Sequence, residues 1–128
     1  MGFTAYPSQT RSFSVGQRVL FDTIATNYGN HYDRSTSIFT CPRNGLYVFY
    51  TSLLSDGGFF MHGTITKDSQ HYVTARADKD RHESGSAMAV LRCETGESVW
   101  VEQPLDQDNR LYGGRYSMFT GFLLKSEN

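Results

Sequence analysis

At 128 residues the chain is the size of one domain, large enough to bury a core without staples. Its 12 Lys+Arg against 13 Asp+Glu leave it close to neutral with the basic residues scattered, which excludes the electrostatic footprint of a nucleic-acid or anionic-membrane binder. The 2 cysteines form no C-x-x-C pair, so a disulfide scaffold, a zinc ribbon and a thioredoxin-like site are excluded as well.

Aromatic residues make up 14% of the chain and glycines number 12, the profile of many short strands joined by turns. No stretch reads as a secretory signal; the chain enters its first strand directly, as a trimmed segment would, so this end carries no information on compartment. Alternation and punctuation predict strands over 2–6, 18–25, 36–41, 45–54, 59–66, 70–77, 86–93, 98–103 and 115–125, with no helix. The turn signals between them include Tyr28-Gly29-Asn30, Pro42-Arg43-Asn44-Gly45, Ser55-Asp56-Gly57-Gly58, Lys67-Asp68, Glu94-Thr95-Gly96 and Tyr112-Gly113-Gly114. Regular short strands without helices point to an antiparallel sandwich or barrel.

Most strands alternate as a half-solvated sheet does. In 59–66, Phe59, Met61, Gly63 and Ile65 share one face, leaving Phe60, His62 and Thr64 on the other. Two strands break this pattern. In 45–54, Tyr47, Phe49 and Leu53 oppose Leu46, Val48, Tyr50 and Leu54; in 115–125, Phe119 and Leu123 oppose Met118, Phe122 and Leu124. Both faces of these strands call for burial, and no helix is available to cover the second. The run 39–54 is also too short and too interrupted to cross a bilayer, which takes roughly 20 apolar residues. The remaining cover is another copy of the chain, because soluble monomers avoid large exposed apolar patches. Val48, Tyr50, Met118 and Phe122 are the residues expected at that contact. The alternative is a closed or strongly coiled sandwich that hides both faces internally.

The spacing of Phe21, Asn27, Tyr32, Phe39, Gly45, Tyr47 and Phe49 resembles the signature of the complement C1q globular-domain family. The stretches Phe3-Thr4-Ala5, Ala89-Val90-Leu91-Arg92 through Gly96 to Val99-Trp100-Val101, and Phe119-Thr120-Gly121-Phe122-Leu123 are similar to that family's first, late and last strands. One position departs: Thr51 stands where an aromatic is usual. The resemblance runs over 3–125 and implies a ten-stranded jelly-roll sandwich of the tumour-necrosis-factor-like superfamily. It also implies a homotrimer whose inner sheet includes the strands matching 45–54 and 115–125, and an extracellular, secreted location.

Strand parity gathers the loops near 42–44, 67–70 and 94–97 at one end and those near 55–58, 78–85 and 104–114 at the other. The second set is longer and carries the charges, and loops on a rigid sandwich are the usual seat of binding. Candidate ligand contacts are Arg76, Asp78, Lys79, Arg81, His82, Asn109, Arg110 and Tyr112. Arg76 offers a planar fork to a carboxylate such as that of sialic acid, and Tyr72, Tyr112 or Tyr116 a ring for stacking on a sugar. The same charges also suit a merely solvated surface. In some relatives of this fold the loop holding Asp106 and Asp108 supplies calcium ligands; a solvated acidic turn is the other reading of the pair. No cofactor is required. Cys41 and Cys93 each end a strand at the short-loop end, which fits either a bridge between the sheets or two buried free thiols.

Nothing resembles an enzyme: Ser84-Gly85-Ser86 lacks the Gly-x-Ser-x-Gly elbow, and no phosphate loop precedes a helix. The expected function is therefore secreted, trimeric pattern recognition in innate immunity, binding glycans or microbial surface ligands in a lectin-like way. The alternative is a receptor-engaging or matrix-organising trimer that works through host protein contacts.

Overall fold

A computed structural model describes residues 1–127, which form strands and turns and no helix. In chain order the strands are β1 (Gly2–Tyr6), β2 (Arg11–Phe13), β3 (Thr23–Tyr28), β4 (Tyr32–Asp33), β5 (Ile38–Thr40), β6 (Gly45–Leu54), β7 (Met61–Lys67), β8 (Gln70–Ala77), β9 (Ser84–Cys93), β10 (Ser98–Glu102), β11 (Asn109–Leu111) and β12 (Met118–Ser126). Ten of them build two antiparallel five-stranded sheets, ordered β3-β1-β12-β6-β9 and β4-β5-β10-β7-β8, packed face to face as a jelly-roll sandwich. A small ribbon of β2 and β11 closes one end of the sandwich.

The core between the sheets is an aromatic stack, each ring delivered by the inward half of an alternating strand. Phe3 lies parallel to Tyr32 at 4.5 Å and edge-on to Phe119 at 4.9 Å, while Phe39 meets the rings of Tyr47 and Phe49 edge-on. Such offset and edge-to-face pairs add about 0.5–1.5 kcal/mol each beyond the area they bury. Gly121 makes the stack possible: a Cβ there would stand 2.6 Å from Phe49 and 2.8 Å from Phe3.

Residues 18–22, expected as part of a strand, instead cross between the sheets. Val19 donates its amide to the Val101 carbonyl and Phe21 its amide to the Ser37 hydroxyl, and both side chains are fully buried. Beyond one antiparallel bridge from Arg18 to Glu102, this extended crossing has the alternation of a strand without its ladder. The strand that follows begins only at Thr23. A second expectation also needs correction. Phe60, His62 and Thr64 were expected on a solvated face, yet His62, Thr64 and Thr66 are buried on the outward side of β7. The segment 104–107 lies beside that face and shields it, an arrangement set by a loop distant in sequence.

Candidate functional site

The ends of the sandwich are assembled as strand parity requires. At the short-loop end, the Asn44 side chain accepts the Thr95 amide and the Asp68 carboxylate accepts the Ser98 amide. At the opposite end, Ser55 is fully buried, and its hydroxyl donates to the carbonyl of Asp78 at 2.7 Å. The Arg81 carbonyl lies 3.2 Å from the same hydroxyl, and the Ser55 amide bonds the Glu83 carbonyl. This buried serine pins the 78–83 loop beside 55–58. The turn at 56–58 is closed by Gly58, whose φ of 92° strongly favours glycine, and its amide bonds the Lys79 carbonyl.

The sequence-derived candidates separate into distinct groups here. His82 Nδ1 donates to the Ser55 carbonyl, and its ring meets Tyr112 edge-on at 4.8 Å; Tyr112 in turn meets Tyr116, which is 67% exposed. These three rings form an aromatic shelf. Arg110 is already committed: its Nε pairs with Asp56 at 2.9 Å and its Nη1 donates to Ser12. Arg76 and Lys79 both stand over the Phe60 ring, at 5.2 and 5.5 Å. Asp78 accepts the Lys79 amide, and Arg81 is exposed. Asn109, expected at the surface, is buried, with its Oδ1 accepting the His62 amide and ring Nδ1 and its Nδ2 donating to the Gln107 carbonyl. It positions other groups instead of facing solvent.

Asp106 and Asp108 line a surface cavity of about 460 Å³ with Ser12, Ser14, Phe59 and Gln107. Among the described residues, no group of three or more His, Cys, Asp or Glu is placed to hold a metal ion. Calcium takes roughly six to eight oxygens, and two exposed carboxylates in one subunit do not supply such a cage.

In this structure Cys41 and Cys93 are both buried and unbridged, and lie close enough to hydrogen-bond. The bond from Cys41 lowers the Cys93 thiol against the opposing effect of burial, with the Lys67 ammonium assisting; the same bond, reinforced by burial, raises Cys41.

A further apolar feature is the outward face of the β3-β1-β12-β6-β9 sheet. A continuous row crosses all five strands through the partners Tyr28, Gly2, Phe122, Val48 and Val90, and a second runs through Thr120, Tyr50 and Met88. Phe122, Val90 and Met88 are 45%, 53% and 62% exposed, while Val48, Tyr50 and Met118 are half-buried. Met88, Val90 and Tyr28 were not singled out from sequence. The alternation of Ala87, Ala89 and Leu91 against Met88 and Val90 was the available signal.

The match to known proteins agrees with this architecture. The profile of the C1q domain family matches residues 2–124. Protein HP-25 homolog 1 of Bos taurus is 30% identical over 108 residues, covering 84% of this chain and 51% of that protein. The collagen alpha-1(X) chain of Mus musculus is 32% identical over 127 residues, covering 94% of this chain and 17% of that one. The chain thus spans about half of the first of these relatives and under a fifth of the second. Among solved structures, the globular domain of zebrafish complement 1qA protein superposes with a TM-score of 0.80 at 21% identity, covering 98% of each chain. From its second residue to its last strand, this chain belongs to the C1q domain family.

Proposed function

We propose that three copies of the chain pack their β3-β1-β12-β6-β9 sheets around a common axis and present their charged loop ends together to an extracellular ligand. The observation that carries this reading is the uncovered apolar face on Phe122, Val48, Val90, Met88 and Tyr50. Burying apolar surface contributes about 25 cal/mol per Å², and large patches of this kind are rare on free-standing subunits. The trimeric form and extracellular setting are those implied by the family resemblance, and a collagen chain among the relatives supports the setting.

The chain is a binding module, not an enzyme. Glycans or other repeated surface patterns are its ligands, met by the His82, Tyr112 and Tyr116 rings together with Arg81. Three weak contacts on one axis supply avidity that a single copy lacks. A glycan array run on the wild-type protein and on a Phe122→Asp variant tests this reading. Saturable binding by the wild type, weakened about 100-fold or more in a single-subunit variant and unchanged by a chelator, is the expected result. Absence of any saturable glycan binding removes the lectin version. The relationship to a collagen chain favours a second reading, matrix organisation through protein partners. In that case protease treatment of the target surface abolishes capture and free sugars do not compete.

A further inference from the structure

We infer that the outward face of the β4-β5-β10-β7-β8 sheet holds a binding site for a small hydroxylated carboxylate, the chemistry of an acidic monosaccharide. The site is a groove of about 470 Å³ lined by His62, Thr64, His71, Thr74, Arg76 and Leu105, with Pro104 and Gln107. Pockets of this size, with a few fixed polar groups, suit small ligands. The groove lies on the opposite side of the sandwich from the apolar sheet face and is complete in one subunit. It names a ligand class for the recognition role proposed above and rests on that reading only for the choice of a sugar.

The groove is built and pre-set. Its floor is polar and buried: His62 and Thr64 are 2% and 1% exposed. Asn109 Oδ1 is an acceptor, so the Nδ1 atom bonded to it at 2.9 Å carries a proton. Nε2 has no hydrogen-bond partner among the described residues, on a side chain that lines the groove. The Asn109 amide is itself oriented by its bond to the Gln107 carbonyl. The Gln103 side chain, buried in turn, accepts the Leu105 amide at 2.5 Å, so both ends of the loop beside the groove are anchored. Thr64 and Thr74 share a hydroxyl–hydroxyl bond of 2.6 Å across β7 and β8.

Glu102 is satisfied, with His71 Nε2 at 2.9 Å on one oxygen and Trp100 Nε1 at 3.2 Å on the other. Arg76 makes no ion pair among the described residues and rests over the Phe60 ring, beside which Lys79 also stands. A ligand carboxylate meets the fork of Arg76, ring hydroxyls hydrogen-bond His62 Nε2 and the threonine pair, and the apolar face of the sugar lies on Leu105.

Sodium glucuronate titrated into isotope-labelled protein, with the His62 and His71 ring signals followed by NMR, tests the assignment. Saturable shifts at both rings are expected, with glucose, which lacks the carboxylate, binding about tenfold more weakly or worse; tenfold corresponds to about 1.4 kcal/mol. Arg76→Gln, at an exposed position, is expected to weaken glucuronate to the level of glucose, whereas Arg34→Gln, exposed between β4 and β5 away from the groove, leaves it unchanged. No saturable response at His62, equal binding by wild type and Arg76→Gln, or a response confined to His82 would overturn it. A trimer that binds glycan surfaces without a His62 response keeps the module and loses the groove; a lone subunit with that response does the reverse.

Discussion

Tyr32 donates its hydroxyl to the Phe21 carbonyl at 2.7 Å, and Asn27 brackets the Tyr32 backbone with one bond to its amide and one to its carbonyl. The residues whose spacing carries the family resemblance are therefore core and brace, which is why they identify a fold and name no ligand. The departure at Thr51 has a local explanation: the side chain is fully buried and its hydroxyl donates to the Met118 carbonyl, so no polar group is stranded. Gly121→Ala is expected to cost about 1–3 kcal/mol through overpacking against Phe49 and Phe3, read from urea melts. A cost below 0.5 kcal/mol would mean that the stack yields. Asp22 titrates below the usual carboxylate range: burial pushes it up, but the Ser8 hydroxyl and amide, helped by Arg11, pull it further down. Its contribution to stability is thus present above the ordinary carboxylate pKa and fades as pH falls through the depressed folded value. Asp22→Asn is expected to cost roughly 1 kcal/mol at neutral pH and to flatten the acid limb of a stability-against-pH curve. An acid limb identical to wild type would contradict that role. The cysteine pair was legible as close neighbours but not as to its state, because parity gives the face and end of a side chain and not its oxidation. Two thiols per chain are expected to react after unfolding without reductant; none would mean a bridge.

At the scale of strands, β6 and β12 behaved as their two-sided sequences require: one side packs the core and the other is left at the surface of the subunit. Phe119→Ala, on the inward side, is expected to cost about 3–5 kcal/mol of subunit stability. Val90→Thr, on the outward side of β9, is expected to cost the isolated subunit about 0.5 kcal/mol or less. Comparable losses from the two would contradict the division into core and contact faces. The long strands were legible from alternation because each runs in register with at least one neighbour over many residues. The ribbon of β2 and β11 was not, since three-residue strands have too little period to read. The outward side of β7 was misread for a different reason. Its cover comes from Pro104, Leu105 and Gln107, far along the chain, and local alternation holds no trace of a loop folding back. The groove was hidden by the same omission, with Arg76 alone of its lining singled out from sequence.

For the whole molecule, the sandwich has two outward faces of unlike character: one carrying an apolar row that crosses five strands, the other a polar groove. The proposed assembly uses this asymmetry, with self-association on the first face and ligand at the second and the loop end. Phe122→Asp places a charge in the middle of the apolar row, opposite Val48, and is expected to separate the subunits while leaving the inward core intact. The most direct measurement is light scattering of the wild-type protein and of Phe122→Asp at micromolar concentration. The expected result is a wild-type mass of three times the 14.5 kDa chain and a folded variant at one. A well-folded wild-type species at 14.5 kDa would contradict the assembly.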